Sequence, residues 1–209
     1  MKHKRSEDAI KFIKEKKDSL IIAAVAAVAV VMGALSVNYL NVQKQAETQK
    51  AFGEAILSSA SDRDALMENL REISQNHKGS VYATYSLMLL GQNLLEDGEY
   101  TEAAIILDEA LKSKQPAPFL TVQILELKAT ALEFDGALDD ALTTYDKALS
   151  VHNGSGFRKN DILLKSALLN LRMGQTDIAQ KRFEEIVADS AASERTLRIA
   201  KNELSVLEF

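Results

Sequence analysis

Glu96-Asp97-Gly98-Glu99-Tyr100 is the first of three segments that align without gaps along this chain. The other two are Phe134-Asp135-Gly136-Ala137-Leu138 and Arg172-Met173-Gly174-Gln175-Thr176, so the central glycines recur with a period of 38 residues. Glycine adopts positive φ at little cost and commonly ends a helix. Each segment is therefore predicted to form the turn between two helices of one repeat.

A fixed pattern of small and large residues follows each glycine. An alanine comes five residues later, a bulky residue four after that, and a smaller or aliphatic residue three further on. The three sets are Ala103, Leu107 and Ala110; Ala141, Tyr145 and Ala148; and Ala179, Phe183 and Ile186. Small residues let helices approach closely and the large one fills the gap between hairpins. This pattern is typical of the second helix of a tetratricopeptide (TPR) repeat.

The preceding helices fit the same repeat, with a weaker match in the third. Their corresponding residues are Leu87, Leu90, Gly91 and Leu94; Leu125, Lys128, Ala129 and Leu132; and Leu163, Ser166, Ala167 and Asn170. TPR units usually have about 34 residues, and the extra ones here fall in the helix-breaking stretches 115–118 and 152–156. The sequence predicts an all-α, TPR-like solenoid of helical hairpins with three repeats over residues 81–190.

Shorter helical segments flank the repeats. Residues 41–80 are predicted to form a degenerate N-terminal hairpin, whose second helix begins near Ser61-Asp62-Arg63-Asp64. Residues 191–209 are predicted to form a capping helix that starts at Ser193. Its apolar residues Leu197, Ala200, Leu204 and Leu207 are spaced at three and four positions and would close the open end of the solenoid.

Residues 20–40 form an apolar segment long enough to cross a bilayer. Ten of these 21 residues are Leu, Ile or Val, and a helix of this length spans about 31 Å, close to the hydrocarbon thickness of a membrane. Seven basic residues precede the segment within residues 1–19. The positive-inside bias therefore predicts a cytoplasmic tail at 1–19, a transmembrane helix at 20–40 and a repeat domain outside the cytoplasm.

A cleaved signal peptide is the competing interpretation of this N-terminus. Ala34-Leu35-Ser36 has the small-x-small spacing of a cleavage site. The apolar stretch is longer than the usual 7–15 residues of a signal sequence, which favours a retained anchor.

Composition argues against several functional classes. The 209 residues include only 2 Pro and 9 Gly, as expected for long helices, and no Cys that could form a disulfide or a thiolate metal site. The formal net charge is −5 and becomes −8 once residues 1–19 are set aside, which disfavours nucleic-acid binding. His3, His77 and His152 are isolated. We predict no catalytic residues, no metal site and no cofactor.

The predicted working surface is the concave face that the first helices of the repeats would line. It is predicted to have apolar patches at both ends and an acidic residue between them, a lining suited to an adaptable peptide or helix ligand. The predicted groove residues are Tyr85, Met88, Gln92, Gln123, Glu126, Thr130, Leu164 and Leu168.

The order of a basic tail, one span and a degenerate TPR domain, together with segments such as Ser80-Val81-Tyr82-Ala83, resembles the YfgM-like ancillary subunits of the bacterial SecYEG translocon. This resemblance covers nearly the whole chain. It implies a single-pass protein of the bacterial inner membrane with a periplasmic TPR domain. The implied partners are the SecYEG translocon, a PpiD-like chaperone and emerging secretory proteins. Two alternatives stay open: a structural scaffold for cell division, cell-wall or outer-membrane assembly, and a helical enzyme with an unrecognised site.

Overall fold

The computed structural model describes residues 17–58, 62–113, 117–151 and 156–207, without the side chains of residues 17–29, 31, 58, 156 and 157. Every element in these ranges is an α-helix, in agreement with the predicted class. The helices are α1 (Lys17–Ser58), α2 (Arg63–Asn76), α3 (Val81–Asp97), α4 (Tyr100–Leu111), α5 (Pro118–Phe134), α6 (Leu138–Val151), α7 (Gly156–Arg172), α8 (Thr176–Ala188) and α9 (Glu194–Leu207).

The chain divides into two compact units, residues 1–47 and 48–209. The described part of the first unit is helix α1 from residue 17 to residue 47. Its large apolar side chains are exposed: Val30, Met32, Leu35, Val37, Tyr39, Leu40 and Val42.

Helix α1 contains the predicted membrane segment, residues 20–40. Among the described side chains, no helix combines the length and the apolarity that a membrane crossing needs. Residues 1–16 of the predicted tail lie outside the described residues. In the predicted span, the side chains of residues 20–29 and 31 are not described either. The anchor therefore stays a prediction.

The three glycine turns have the predicted backbone conformation. Gly98, Gly136 and Gly174 have φ of 83°, 89° and 74°, and each lies between the two helices of one repeat. The turns of the first two repeats also contact each other. The rings of Tyr100 and Phe134 stack at a centroid distance of 5.2 Å, and Thr101 donates to Asp135 over 2.7 Å.

The second unit is a series of hairpins, each packed on the next, and its core runs along the series. All nine residues of the predicted small–large–small pattern are fully buried, which confirms that prediction. One core cluster joins α2 to α5 through Leu70, Leu107 and Ile124, a second joins α5 to α7 around Tyr145, and a third joins α7 to α9 around Phe183.

Polar residues at core positions of the third repeat explain its weaker match. Ser166 and Asn170 are buried in α7, and both bond to their own helix. Ser166 donates to the carbonyl of Leu163 over 3.0 Å, and Asn170 donates to the carbonyl of Ser166 over 2.7 Å. Buried polar groups that are paired in this way cost little stability.

The predicted helix caps are present. The carboxylate of Asp62 accepts from the amide of Ala65 over 3.0 Å at the start of α2. The hydroxyl of Ser193 accepts from the amide of Thr196 over 3.2 Å at the start of α9. Such caps satisfy amides that have no partner within the helix.

Candidate functional site: the inner face of the repeats

The eight predicted groove residues all lie on the first helices of the repeats, α3, α5 and α7, but they do not form one open surface. Gln92 and Leu168 are exposed, whereas Tyr85, Gln123, Thr130 and Leu164 are half-buried. Met88 and Glu126 are buried. The open lining is therefore smaller than the sequence predicted.

Met88 belongs to the core. It lies in the cluster that contains Leu70 of α2 and Ile124 of α5, because α3 packs against both of these helices. Tyr85 packs against the same cluster and its ring lies 6.5 Å from that of Phe52 in α1. Both residues support the stacking of the helices, and Tyr85 keeps part of its surface accessible.

Glu126 is the buried centre of an ion triad between α5 and α7. Its Oε1 lies 2.8 Å from Nζ of Lys165, and its Oε2 lies 2.7 Å from Nη2 of Arg158. A carboxylate at this depth needs such partners, because an unpaired buried charge is strongly destabilising. The predicted acid of the groove is thus neutralised within the protein, and two cations outnumber it.

A second pair of charged residues joins the same helices about two turns further along. Nη2 of Arg172 lies 3.1 Å from Oε1 of Glu133, and the phenol of Tyr145 donates to Oε2 of Glu133 over 3.1 Å. Thr130 Oγ1 lies 3.1 Å from the same phenol oxygen. Burial is the main cause that raises the pKa of Tyr145 above its ordinary value, so the phenol stays a hydrogen-bond donor.

The side chains that sequence reasoning missed are Arg158, Lys165 and Arg172, which we call the basic strip. They follow one another at intervals of seven residues on α7 and face Glu126 and Glu133, which have the same interval on α5. Seven residues are close to two helical turns, so members of each row share a helix face. This interval was a signal available in the sequence.

A further charged contact links the second helix of one repeat to the first helix of the next. Asp108 of α4 lies 2.8 Å from Nζ of Lys112 and 2.5 Å from Nζ of Lys128 in α5. Hydrogen bonds from Lys112 and then Lys128 lower the pKa of Asp108 to about 2. Lys128 occupies a core position of the repeat pattern. It is tolerated there because its ammonium group reaches the carboxylate of Asp108.

Within the ranges that the structure describes, no group of three or more His, Asp or Glu residues could hold a metal ion. His77 ends α2, and its Nδ1 lies 3.0 Å from the hydroxyl of Thr48 in α1, a contact that holds two helices together. His3 and His152 lie outside the described residues.

Comparisons with known proteins agree with this architecture. A tetratricopeptide repeat protein from Parabacteroides merdae is 22% identical with a TM-score of 0.59, over 76% of this chain and 60% of that one. BtubC from P. vanneervenii is 18% identical with a TM-score of 0.50, over 79% of this chain and 64% of that one. At these identities the likeness shows the fold alone, and this chain spans less than two thirds of either structure.

No curated protein matches the chain. The tetratricopeptide repeat-like domain family matches residues 11–207, which is nearly the whole sequence. Protein–protein interaction is the activity that this fold suggests. The chain therefore belongs to the tetratricopeptide repeat-like domain family.

Proposed function

We propose that this chain is a non-enzymatic, membrane-anchored TPR protein of the bacterial inner membrane, with its repeat domain in the periplasm. In this proposal it is an ancillary subunit of the Sec translocon that links SecYEG to a PpiD-like chaperone and meets emerging secretory proteins. The repeat domain binds proteins through the inner face of its first helices, where Gln92, Leu168 and the basic strip are accessible.

The observation that carries the anchor is the set of exposed apolar side chains that lie all around α1. From Val30 to Val42 its seven described large apolar side chains are each more than half exposed. So many exposed large apolar side chains in water are unfavourable and mark a site that a membrane or another protein covers. Together with the apolar sequence from residue 20 and the preceding basic residues, it supports a membrane helix.

Intact-mass measurement of the protein purified from both the membrane and the soluble fractions of cells tests the anchor. A retained anchor gives the mass of the full chain in the membrane fraction. A mature N-terminus near Val37 would show that the segment is a cleaved signal peptide and would contradict this part of the proposal.

In-membrane photocrosslinking tests the partners. A photoreactive amino acid replaces Gln92 or Leu168, two exposed positions on the inner face, and Val206 on α9 serves as an exposed control position. We expect SecY or a membrane-anchored periplasmic chaperone among the products from the inner face. Products that contain cell-division, cell-wall or outer-membrane assembly proteins, and neither of those two, would favour the alternative of an envelope scaffold.

A further inference from the structure

The charges between α5 and α7 are arranged so that the cations reach the surface and the carboxylates do not. The side chains of Arg158, Lys165 and Arg172 are 40%, 42% and 51% exposed, against 7% for Glu126 and 18% for Glu133. Each cation is held on its inner side by a less exposed carboxylate, Glu126 or Glu133. The accessible surface of the basic strip is therefore cationic, although the chain beyond residue 19 is acidic overall.

The surroundings of the basic strip add one more acid and an apolar contact. Asp161, on the same side of α7, is half-buried and accepts a hydrogen bond from Thr196 of α9 over 2.8 Å. Leu168 lies between Lys165 and Arg172 along the helix and is exposed, and Leu164 is half-buried beside Lys165. Nε of Arg158 is enclosed without a hydrogen-bond partner, so an approaching protein could contact this guanidinium only through its other nitrogens.

The spacing of the strip decides the conformation of the partner. Residues seven apart on a helix are separated by about 10.5 Å. A partner helix lying along α7 matches this distance with carboxylates at the same seven-residue interval. An extended partner advances about 3.3 Å per residue, so it would need acids three apart, and these point to opposite faces of a strand.

We propose that the basic strip is the docking site for an amphipathic helix of another protein that carries Asp or Glu at seven-residue intervals and apolar side chains between them. The carboxylates bind Arg158, Lys165 and Arg172, and an apolar side chain contacts Leu168. This inference rests on the proposed binding role and names the chemistry of the partner. Charge complementarity at three sites in one line provides orientation as well as affinity.

A designed peptide pair tests the inference. The first is a fluorescein-labelled helical peptide of about 18 residues, long enough to span two of the seven-residue intervals, with Glu at three positions seven apart and Leu between them. The second has the same composition with the Glu residues five apart, so that they do not share a face. Both are titrated by fluorescence anisotropy against the full chain in detergent micelles.

We expect the peptide with Glu seven apart to bind at least about tenfold more tightly than the peptide with Glu five apart, because the second peptide loses charge-assisted contacts. The affinity of the first peptide should weaken as salt rises from about 0.05 to 0.3 M, because part of the site is exposed to screening ions. Equal affinities of the two peptides would overturn the inference.

Variants of the chain locate the binding. Lys165→Gln removes one of the three cations and leaves Glu126 paired with Arg158, and should weaken binding about tenfold. Lys181→Gln makes the same chemical change at an exposed residue of α8 and should leave binding unchanged. Leu168→Ser, at an exposed position, tests the strip without touching the triad and should also weaken binding. Unchanged binding by both strip variants would reject this site.

The result is separable from the proposed cellular role. If photocrosslinks recover the translocon but the peptide with Glu seven apart binds no better than its isomer, only the inference about the acidic helix fails. If the peptide binds the strip but crosslinks recover neither SecY nor an anchored chaperone, the inference holds and the translocon assignment fails.

Discussion

Gly91 and Leu107 show how closely the two helices of the first repeat approach. A Cβ built on Gly91 would lie 2.5 Å from Cγ of Leu107 and 2.7 Å from its Cδ2. The corresponding pairs of the later repeats are Ala129 with Tyr145 and Ala167 with Phe183, all fully buried. The first repeat thus combines the smallest residue on one helix with a branched side chain on the other.

We predict that Gly91→Ala destabilises the protein despite the better helix propensity of alanine. Overpacking of a core costs about 1–3 kcal/mol, which exceeds the gain of about 1 kcal/mol from replacing glycine in a helix. In a Leu107→Ala background the clash is removed, and the same Gly91→Ala change should become stabilising. Chemical denaturation of the native chain, the two single variants and the double variant measures this reversal of sign. If the two substitutions changed the unfolding free energy additively, the close contact between Gly91 and Leu107 would be contradicted.

Asp108 should make the stability of the fold depend on pH. Its pKa is about 2 in the folded protein, below the ordinary 3.8, because Lys112 and Lys128 bind the ionised form. The stabilisation is therefore present above pH 3.8 and is lost as the pH falls from 3.8 towards 2. Since the side chain is 39% exposed, screening leaves this contribution at about 1 kcal/mol or less.

The measurement is the difference in unfolding free energy between the native chain and Asp108→Asn as a function of pH. We expect this difference to be largest near neutral pH and to shrink towards zero as the pH approaches 2. Glu102→Gln, at an exposed position of the same helix, is the control and should change stability by no more than about 0.5 kcal/mol. A difference that stays constant with pH would show that Asp108 is not bound by its two lysines.

At the scale of helices and turns, the same substitution should have opposite effects at two glycines. Gly136 ends α5 with φ of 89° and Gly53 lies inside α1, and a Cβ at either would meet no atom within 4 Å. Gly136→Ala places a side chain in the left-handed region at a cost of about 1–2 kcal/mol. Gly53→Ala should instead stabilise by up to about 1 kcal/mol. Thermal unfolding of the two variants distinguishes these effects, and a shared sign would refute the assigned turn.

The second helices could be predicted closely from sequence, and the first helices less so. A second helix repeats its burial at fixed distances from the glycine turn, so a period of 38 identified Ala141, Tyr145 and Ala148 together. A first helix contacts helices of neighbouring repeats as well as its own partner, so more of its positions are buried than a single apolar stripe indicates. The sequence prediction therefore placed Met88 in the open groove, whereas it is buried in the core.

The partners of Glu126 illustrate what a single sequence does not specify. Lys165 lies 39 residues away in the chain, and its contact depends on how α5 and α7 are placed by the apolar packing around Tyr145. Propensity and periodicity describe each helix separately. The ion triad is a property of two helices, and only their relative placement brings it together.

At the scale of the whole repeat unit, stability should be local along the series of hairpins. The core clusters overlap from one repeat to the next, and the last one joins α7, α8 and α9. Proteins of this kind behave approximately as a sum of repeat and neighbour terms. A defect at the C-terminal end should therefore loosen the last repeat and leave the first one folded.

Ala200→Asp tests this locality, because Ala200 of α9 is fully buried against the last cluster. A carboxylate there is buried without a partner, so α9 should detach and amide protection in α8 and α9 should fall by about 100-fold, equivalent to about 3 kcal/mol. Amides of α3 and α4 should keep their protection. Val206→Asp, at an exposed position of the same helix, should change neither region. Hydrogen exchange followed by mass spectrometry measures all four helices at once, and an equal loss across them would mean that the repeats unfold as one cooperative unit.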